Sequence, residues 1–306
     1  MARILIAGCG DIGTTLGLSL HAAGHRVWGM KRHPDDLPSG LQPLAADLAD
    51  PATLTALPPA LDYLVYSAAA AGFSEASYQA AYVTGIHNLL SALRQAGQRP
   101  KRVLLTSSTS VYAQHRGEWV DEDSPAVAEG FPGRCIRAGE QLLWDSAWPA
   151  VVVRFGGIYG PGRTRLIDSV RDGIATHSAG PPVFTNRIHR DDCARVLEHL
   201  LFLPNPAPLY LAVDDDPAPL TEVLDWLAVQ LGVPEPPTAA DPPLKPGSGN
   251  RPNLALRQRA SKRCRNARLR ASGFRFRYPS YRDGYGALLR AAAARPSDQN
   301  VASAKS

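Results

Sequence analysis

Long apolar runs are what this 306-residue chain most clearly lacks. No stretch approaches the roughly 18 consecutive apolar residues that read as a membrane span. The opening, MARILIAGCG, carries one Arg and no secretory cleavage signature, so no leader peptide is expected. Cysteine is sparse, and Cys9, Cys135, Cys193 and Cys264 stand singly. With no CxxC pair and no Cys/His cluster, the sequence gives no sign of a metal site or a disulfide framework. Internal repeats are missing as well. The expectation is a cytoplasmic protein with no metal and no membrane partner.

Acidic residues are absent from one long segment. Residues 251–277 hold ten Lys and Arg and no Asp or Glu, in a chain with 33 basic and 28 acidic residues. Without that segment the balance is 23 to 28, a net charge of −5 against +5 for the whole. The basicity is therefore local. Such a segment either faces a phosphate-bearing partner or is a solvated helical face. The second is the ordinary case, and no nucleic-acid partner is expected.

What is present is an ordinary globular composition, 44% hydrophobic and 20% charged. The length suits one large domain with a smaller appended lobe. Apolar runs at residues 4–7, 26–30, 42–46, 62–67, 102–107 and 150–155 read as strands. Helical patterns fall between them, at Ile12, Leu16, Leu20 and Ala23 and then over residues 75–97 and 133–147. Beyond residue 160, helices are expected over 163–175, 191–203 and 220–231, with 181–188 extended. Residues 233–251 are rich in Pro and Gly and read as a loop. The alternation predicts an α/β fold with a doubly wound parallel sheet, the Rossmann arrangement. Residues 1–160 form the nucleotide-binding core in this reading. Residues 161–292 form a mixed α/β substrate lobe interleaved with the last core elements, and residues 293–306 a disordered tail.

The turn after the first strand carries the chemistry. Gly8, Cys9, Gly10, Asp11, Ile12 and Gly13 spell G-x-G-x-x-G directly between strand and helix. Gly8 permits the tight turn, Gly10 lets the backbone approach a pyrophosphate, and Gly13 lets helix and strand pack closely. The helix N-terminal amides then receive the negative charge. At the end of the second strand an NAD site usually places Asp or Glu against the ribose 2′-hydroxyl. Here Lys31 and Arg32 stand in that place. Cations there suit a 2′-phosphate, so NADP(H) is expected and NAD is the less favoured cofactor.

An ordered series of motifs now carries a resemblance. Ala46-Asp47-Leu48, Ser67-Ala68-Ala69-Ala70, Tyr82-Val83-Thr84-Gly85-Ile86-His87-Asn88-Leu89-Leu90, Thr106-Ser107-Ser108-Thr109-Ser110-Val111-Tyr112, Gly157-Ile158-Tyr159-Gly160-Pro161-Gly162-Arg163 and Ile188-His189-Arg190-Asp191-Asp192-Cys193-Ala194 occur in that order. The chain thereby resembles the extended short-chain dehydrogenase/reductase superfamily, and within it the NAD-dependent epimerase/dehydratase family. The likeness covers residues 3–215 well and 251–290 more loosely. It implies that Asp47 and Leu48 contact adenine, that Ser67, Ala68 and Ala69 pass beside the cofactor, and that Thr106 and Ser107 close its site. Tyr82 stands where the family usually has Asn.

The likeness breaks at the catalytic pair. Family oxidoreductases use Tyr-x-x-x-Lys, with Glu four residues after the Lys. Glu140 fixes the register, and the two positions fall on Pro132 and Ile136. A register shifted by one offers Arg137 but places Gly133 at the Tyr position. This departure is similar to the atypical members of the superfamily, which keep the cofactor fold without the standard pair. Ser108 keeps its family position, where it hydrogen-bonds the substrate oxygen; a serine capping a strand end is the plain alternative. Tyr112, Tyr159 and His189 are the candidate proton donors, because their family positions line the substrate cleft, and Arg163 and His189 are the candidate substrate contacts. The expected function is an NADP(H)-dependent oxidoreductase of atypical type acting on a small carbonyl-like substrate. A nucleotide-sugar epimerase or dehydratase using NAD, and a non-catalytic NADP(H) sensor, are the alternatives. A monomer or homodimer is expected.

Overall fold

The computed structural model describes residues 1–239 and 261–294. The first half runs β1 (Arg3–Ala7), α1 (Asp11–Ala22), β2 (Arg26–Lys31), β3 (Gln42–Ala45), β4 (Tyr63–Tyr66), α2 (Glu75–Gln79), α3 (Gly85–Gln95), β5 (Arg102–Ser108), β6 (Glu118–Val120), α4 (Phe131–Trp144) and β7 (Ala150–Phe155). The second runs β8 (Gly157–Tyr159), α5 (Arg165–Arg171), β9 (His177–Ser178), β10 (Arg187–His189), α6 (Arg190–Phe202), β11 (Leu209–Ala212), α7 (Leu220–Leu231), β12 (Thr238–Ala239), β13 (Lys262–Cys264), α8 (Ala267–Ala271) and α9 (Tyr281–Ala293).

Seven parallel strands form one sheet in the order β11-β7-β5-β4-β1-β2-β3. Side chains alternate across a strand, and the core divides accordingly. Ile4, Ile6, Leu104, Val151 and Val153 pack with Leu16 and Leu20 of α1 and with Val196, Leu197 and Leu200 of α6. Leu5, Ala7, Val103, Leu105 and Val152 pack on the other face with Ile86, Leu89 and Leu93 of α3 and Leu143 of α4. Both faces are covered, so the strands read as continuous apolar runs. The strand order reverses between β1 and β4, which opens a crevice at the carboxyl ends of the strands.

A second core joins α5, α7 and α9 through Ile167, Val170, Leu224, Leu227, Tyr281 and Tyr285. The short parallel pairs β8–β10 and β9–β12 adjoin it, while a third pair, β6–β13, packs in a separate cluster with Val111 and Leu211. The fully buried Asp192 carboxylate accepts the Arg277 and Tyr278 amides at 2.9 and 2.8 Å and ties the C-terminal segment to α6.

Several expectations change in detail. The helix over 75–97 is interrupted by a π-helical turn, Ala80–Thr84. The helix over 163–175 contracts to α5, and the extended stretch 181–188 to β10 plus a single bridge from Phe184 to Pro219. β11, unforeseen, takes the sheet edge beside β7. The loop over 233–251 contains β12, and its residues 240–251 lie outside the described residues. The tail expected from 293 begins in helix at Ala293, and residues 295–306 lie outside the described residues.

The basic segment is not a solvated helical face where it is described, from residue 261. Lys262 is buried with its Nζ 3.3 Å from the Tyr112 carbonyl. Arg263 covers the Trp119 and Phe184 rings, Arg268 pairs with Asp123 at 2.8 Å, and Arg270 with Asp215 at 3.2 Å. Residues 251–260 lie outside the described residues.

Candidate active site

The glycine turn is built as its sequence demands. Gly8 has φ +81°, and a Cβ there would sit 2.3 Å from the Ala68 amide nitrogen. A Cβ on Gly13 would come within 2.9 Å of Ile6 Cγ2. Gly10 is different: nothing lies within 4 Å of where its Cβ would be. Gly10 is also the N-cap of α1, and no side chain caps that helix. The first-turn amides are thus free to meet an anion from the open side. Cys9 turns inward. Its thiol is buried beneath Gly29, burial raises its pKa, and its amide donates to the Met30 carbonyl at 2.8 Å. It serves the turn as packing.

A cavity of about 560 Å³ opens above the turn, within the size range of small-molecule sites. Gly8, Gly10, Asp11, Ile12 and Gly13 form its floor, Lys31 and Arg32 one end, and Asp47 and Leu48 the adjoining wall. Ser67, Ala68 and Ala69 follow β4, and Thr106, Ser107 and Ser108 follow β5. Arg163 lines it from the loop after β8. The structure therefore gathers sixteen of the expected site residues around one cavity.

Their bonds assign them different tasks. Ser67 Oγ donates to the Gly8 carbonyl at 3.0 Å and ties the β4 loop to the turn. Lys31 Nζ is held by Asp36 at 2.7 and 2.9 Å, and this ammonium holds the Asp36 carboxyl below its usual range. Arg32 is exposed and has no partner among the described residues. Asp47 closes its own turn by accepting the Ala49 amide at 2.9 Å. Ser107 Oγ donates to Glu140 Oε1 at 2.6 Å. Ser108 Oγ accepts the Ser110 amide at 3.1 Å and so caps the short 3-10 turn Thr109–Val111, which leaves its O–H free to donate. Arg163 Nε reaches Asp11 Oδ2 at 2.8 Å, and Arg190 reaches Asp11 Oδ1 at 3.3 Å.

Besides Cys9, three expected residues do not line the cavity. Tyr112 is buried; its hydroxyl donates to the Asp121 carbonyl and accepts from Arg154, each at 2.7 Å, and burial pushes its pKa up to about 12. Tyr159 lies in the lobe core with its ring 4.3 Å from that of Tyr285, and burial raises its pKa. His189 is buried against Tyr278, its Nδ1 accepts the Asp191 amide at 3.2 Å as the N-cap of α6, and burial lowers its pKa. On α4, Pro132 occupies the first turn and Ile136 is buried among apolar side chains.

Sequence reading missed three cavity-lining hydroxyls: Tyr66, Ser77 and Tyr82. Tyr66 donates to the Ala81 carbonyl. Tyr82 carries the one visible signal, a tyrosine where the resembling motif has asparagine.

A glycine turn at the switch point of a doubly wound sheet, with a capless helix facing an open cavity, defines a Rossmann-type dinucleotide-binding protein. The model of the NAD dependent epimerase/dehydratase family matches residues 4–199. The chain belongs to that family. It is 30% identical over 308 residues to a Streptomyces 3-diazoavenalumate denitrifying reductase, covering 93% of this chain and 99% of the relative. A solved structure from Methylobacillus flagellatus, of NAD-dependent epimerase/dehydratase type, matches at 39% identity and TM-score 0.76, covering 95% and 99% of the two chains. The human epimerase family protein SDR39U1, solved with NADPH, matches at 22% identity and TM-score 0.75, covering 94% and 99%. That likeness shows the fold alone, and structures of the same fold at 20 and 22% identity carry NAD instead. Among the described residues no helix is long and apolar enough to cross a membrane, and no group of His, Cys, Asp and Glu could hold a metal.

Proposed function

We propose that this chain is an NADP(H)-dependent reductase of atypical short-chain type. One observation carries the choice of cofactor. At the end of β2, Lys31 is occupied by Asp36 while Arg32 stands exposed at the cavity with no partner among the described residues. The residues fit a dinucleotide: Gly10 leaves open space where a Cβ would stand, and α1 begins without a cap. The amides at the start of α1 would hold the pyrophosphate, Arg32 the 2′-phosphate, and Asp47 and Leu48 the adenine end. When bound, the nicotinamide supplies a hydride with its electron pair. Ser108 donates its free O–H to the substrate atom that gains charge, and Arg163 offers a guanidinium to an anionic substrate group.

The Streptomyces relative, by its name, reduces a diazo compound. A carbonyl and a neutral diazo group both take up one hydride and one proton, the second with loss of dinitrogen, so either suits this site. The nucleotide-sugar epimerase reading is weakened because neither Pro132 nor Ile136 can deprotonate a sugar hydroxyl.

Calorimetric titration with NADPH, NADP, NADH and NAD tests the reading, alongside Arg32→Ala and Lys31→Ala. Loss of a charge-assisted contact of about 1.5–3 kcal/mol should weaken NADP(H) roughly 10- to 100-fold in Arg32→Ala. NAD(H) should be unaffected, and Lys31→Ala should cost less. A wild-type preference for NAD(H) overturns the proposal. Tight NADP(H) binding without turnover of any carbonyl or diazo substrate favours the sensor.

A further inference from the structure

The reductase reading leaves a proton to be supplied, and the expected donors Tyr112, Tyr159 and His189 lie outside the cavity. We propose that Tyr82, carried by the π-helical turn between α2 and α3, is the catalytic acid that protonates the reduced substrate.

Among the acidic groups that line the cavity, Asp11 is bound to Arg163 and Arg190, Asp47 closes its own turn, and Tyr66 is bonded to the Ala81 carbonyl. Tyr82 also lines the cavity, and its hydroxyl makes no hydrogen bond among the described residues. Tyr82 as a whole is half-buried.

The backbone shows how the phenol comes to be there. The π turn Ala80–Thr84 widens the helix at this point, a feature frequent at functional sites. Two glycines of α4 then hold two turns against one helix. A Cβ on Gly139 would stand 2.2 Å from the Tyr82 carbonyl oxygen, and one on Gly133 would stand 2.6 Å from the Ser110 carbonyl oxygen. Gly133 and Gly139 are six residues apart, about 9 Å along a helix. The first contact places Tyr82, and the second places the 3-10 turn that Ser108 caps. Tyr82 packs against the cluster that contains Ile136, the residue that stands where the resembling family has its lysine. The ring lies 5.6 Å from that of Tyr78, and the titratable groups that face it are the Tyr78 and Tyr66 phenols. Burial pushes its own pKa up to about 12, which keeps it protonated and able to donate at neutral pH.

The step balances. The substrate carbon takes the hydride while its π pair moves to oxygen, and the oxygen takes the proton from Tyr82 Oη. Water then returns a proton to the phenolate. With a diazo group, dinitrogen leaves and the same proton completes the product.

The test uses the full chain labelled with 13Cζ-tyrosine. The Tyr82 resonance is assigned by its loss in Tyr82→Phe, which keeps the ring and therefore the packing. Its pH titration is followed with and without NADP+. A phenol beside the cationic nicotinamide should titrate about one unit lower with cofactor bound, and single-turnover reduction by Tyr82→Phe should fall about 100-fold with cofactor affinity unchanged. Binding of NADP+ with the Tyr82 titration unmoved overturns the role of Tyr82 and leaves the reductase reading standing. Failure of NADP+ and NAD+ to bind at all overturns both.

Discussion

Glu140 and Arg154 form a two-point ion pair, 2.6 and 2.8 Å, with Glu140 0% and Arg154 2% exposed. The Ser107 hydroxyl and the Tyr112 hydroxyl bond to its two halves at 2.6 and 2.7 Å. The pair thus binds α4 to β5 and β7 behind the cavity wall. Removing one partner strands a charge away from water. Glu140→Ala should cost about 3–5 kcal/mol of stability, read from urea unfolding. Glu140→Leu with Arg154→Met should recover much of that loss, because no charge is left behind. A double variant no better than Glu140→Ala alone would show that the surrounding hydroxyls, not the charges, set the cost.

Gly8 and Gly10 should separate folding from binding. Gly8→Ala meets the Ala68 backbone at 2.3 Å and must hold φ +81°, a conformation costing of order 1–3 kcal/mol before the clash is counted. Gly10→Ala meets nothing within 4 Å and should leave stability within about 0.5 kcal/mol, yet it fills space the cofactor backbone approach requires. The expected result is a lowered melting temperature for Gly8→Ala. Gly10→Ala should keep the wild-type temperature but bind cofactor at least tenfold more weakly. Unchanged affinity in Gly10→Ala would move the pyrophosphate away from this turn.

Asp62 gives the fold a pH dependence. Its carboxylate is paired with Lys101 at 2.9 Å and accepts the Arg3 amide at 2.9 Å, joining the starts of β1 and β4. The Lys101 hydrogen bond, then the Arg3 amide, hold its pKa below the usual 3.8. Folding favours the ionised form, so the contribution is present above pH 3.8 and is lost as pH falls through the depressed folded value. Asp62→Asn should lose about 1 kcal/mol at neutral pH and show a shallower decline below pH 4. Chemical denaturation at pH 7, 4 and 3 measures both; parallel curves for the two proteins would remove Asp62 from the account.

The sheet was legible because both its faces are buried. Short runs rich in β-branched residues, such as 150–153, suit strands buried between two helical layers. β11 escaped because Leu209–Ala212 is four residues long and follows a proline, so no period can form. The break in the helix over 75–97 was also hidden. A π turn keeps the apolar pattern of its neighbours, and the glycine packed against it, Gly139, comes from another helix. The arginines of 261–277 read as a charge run because their partners, Trp119, Asp123 and Asp215, lie far away in sequence.

The cavity lining around the glycine turn was readable because it is local: one turn and the strand ends beside it. The polar residues beyond it were placed by motif position, and motif position does not fix depth. Tyr112, Tyr159 and His189 each sit close in sequence to the cleft, yet each side chain turns into a core where a carbonyl, a ring or a helix N-terminus receives it.

Every residue that lines the cavity lies before 164, yet the sheet behind it is closed at one edge by residues 209–212. Spatial order and order of synthesis therefore diverge. While the ribosome is still extending the chain beyond Arg163, the nucleotide crevice is complete in outline, but the free edge of β7 presents unpaired backbone groups to any strand that arrives. Leu209–Ala212 is the segment that caps that edge, and until it emerges the nascent protein is most exposed to pairing with its own copies.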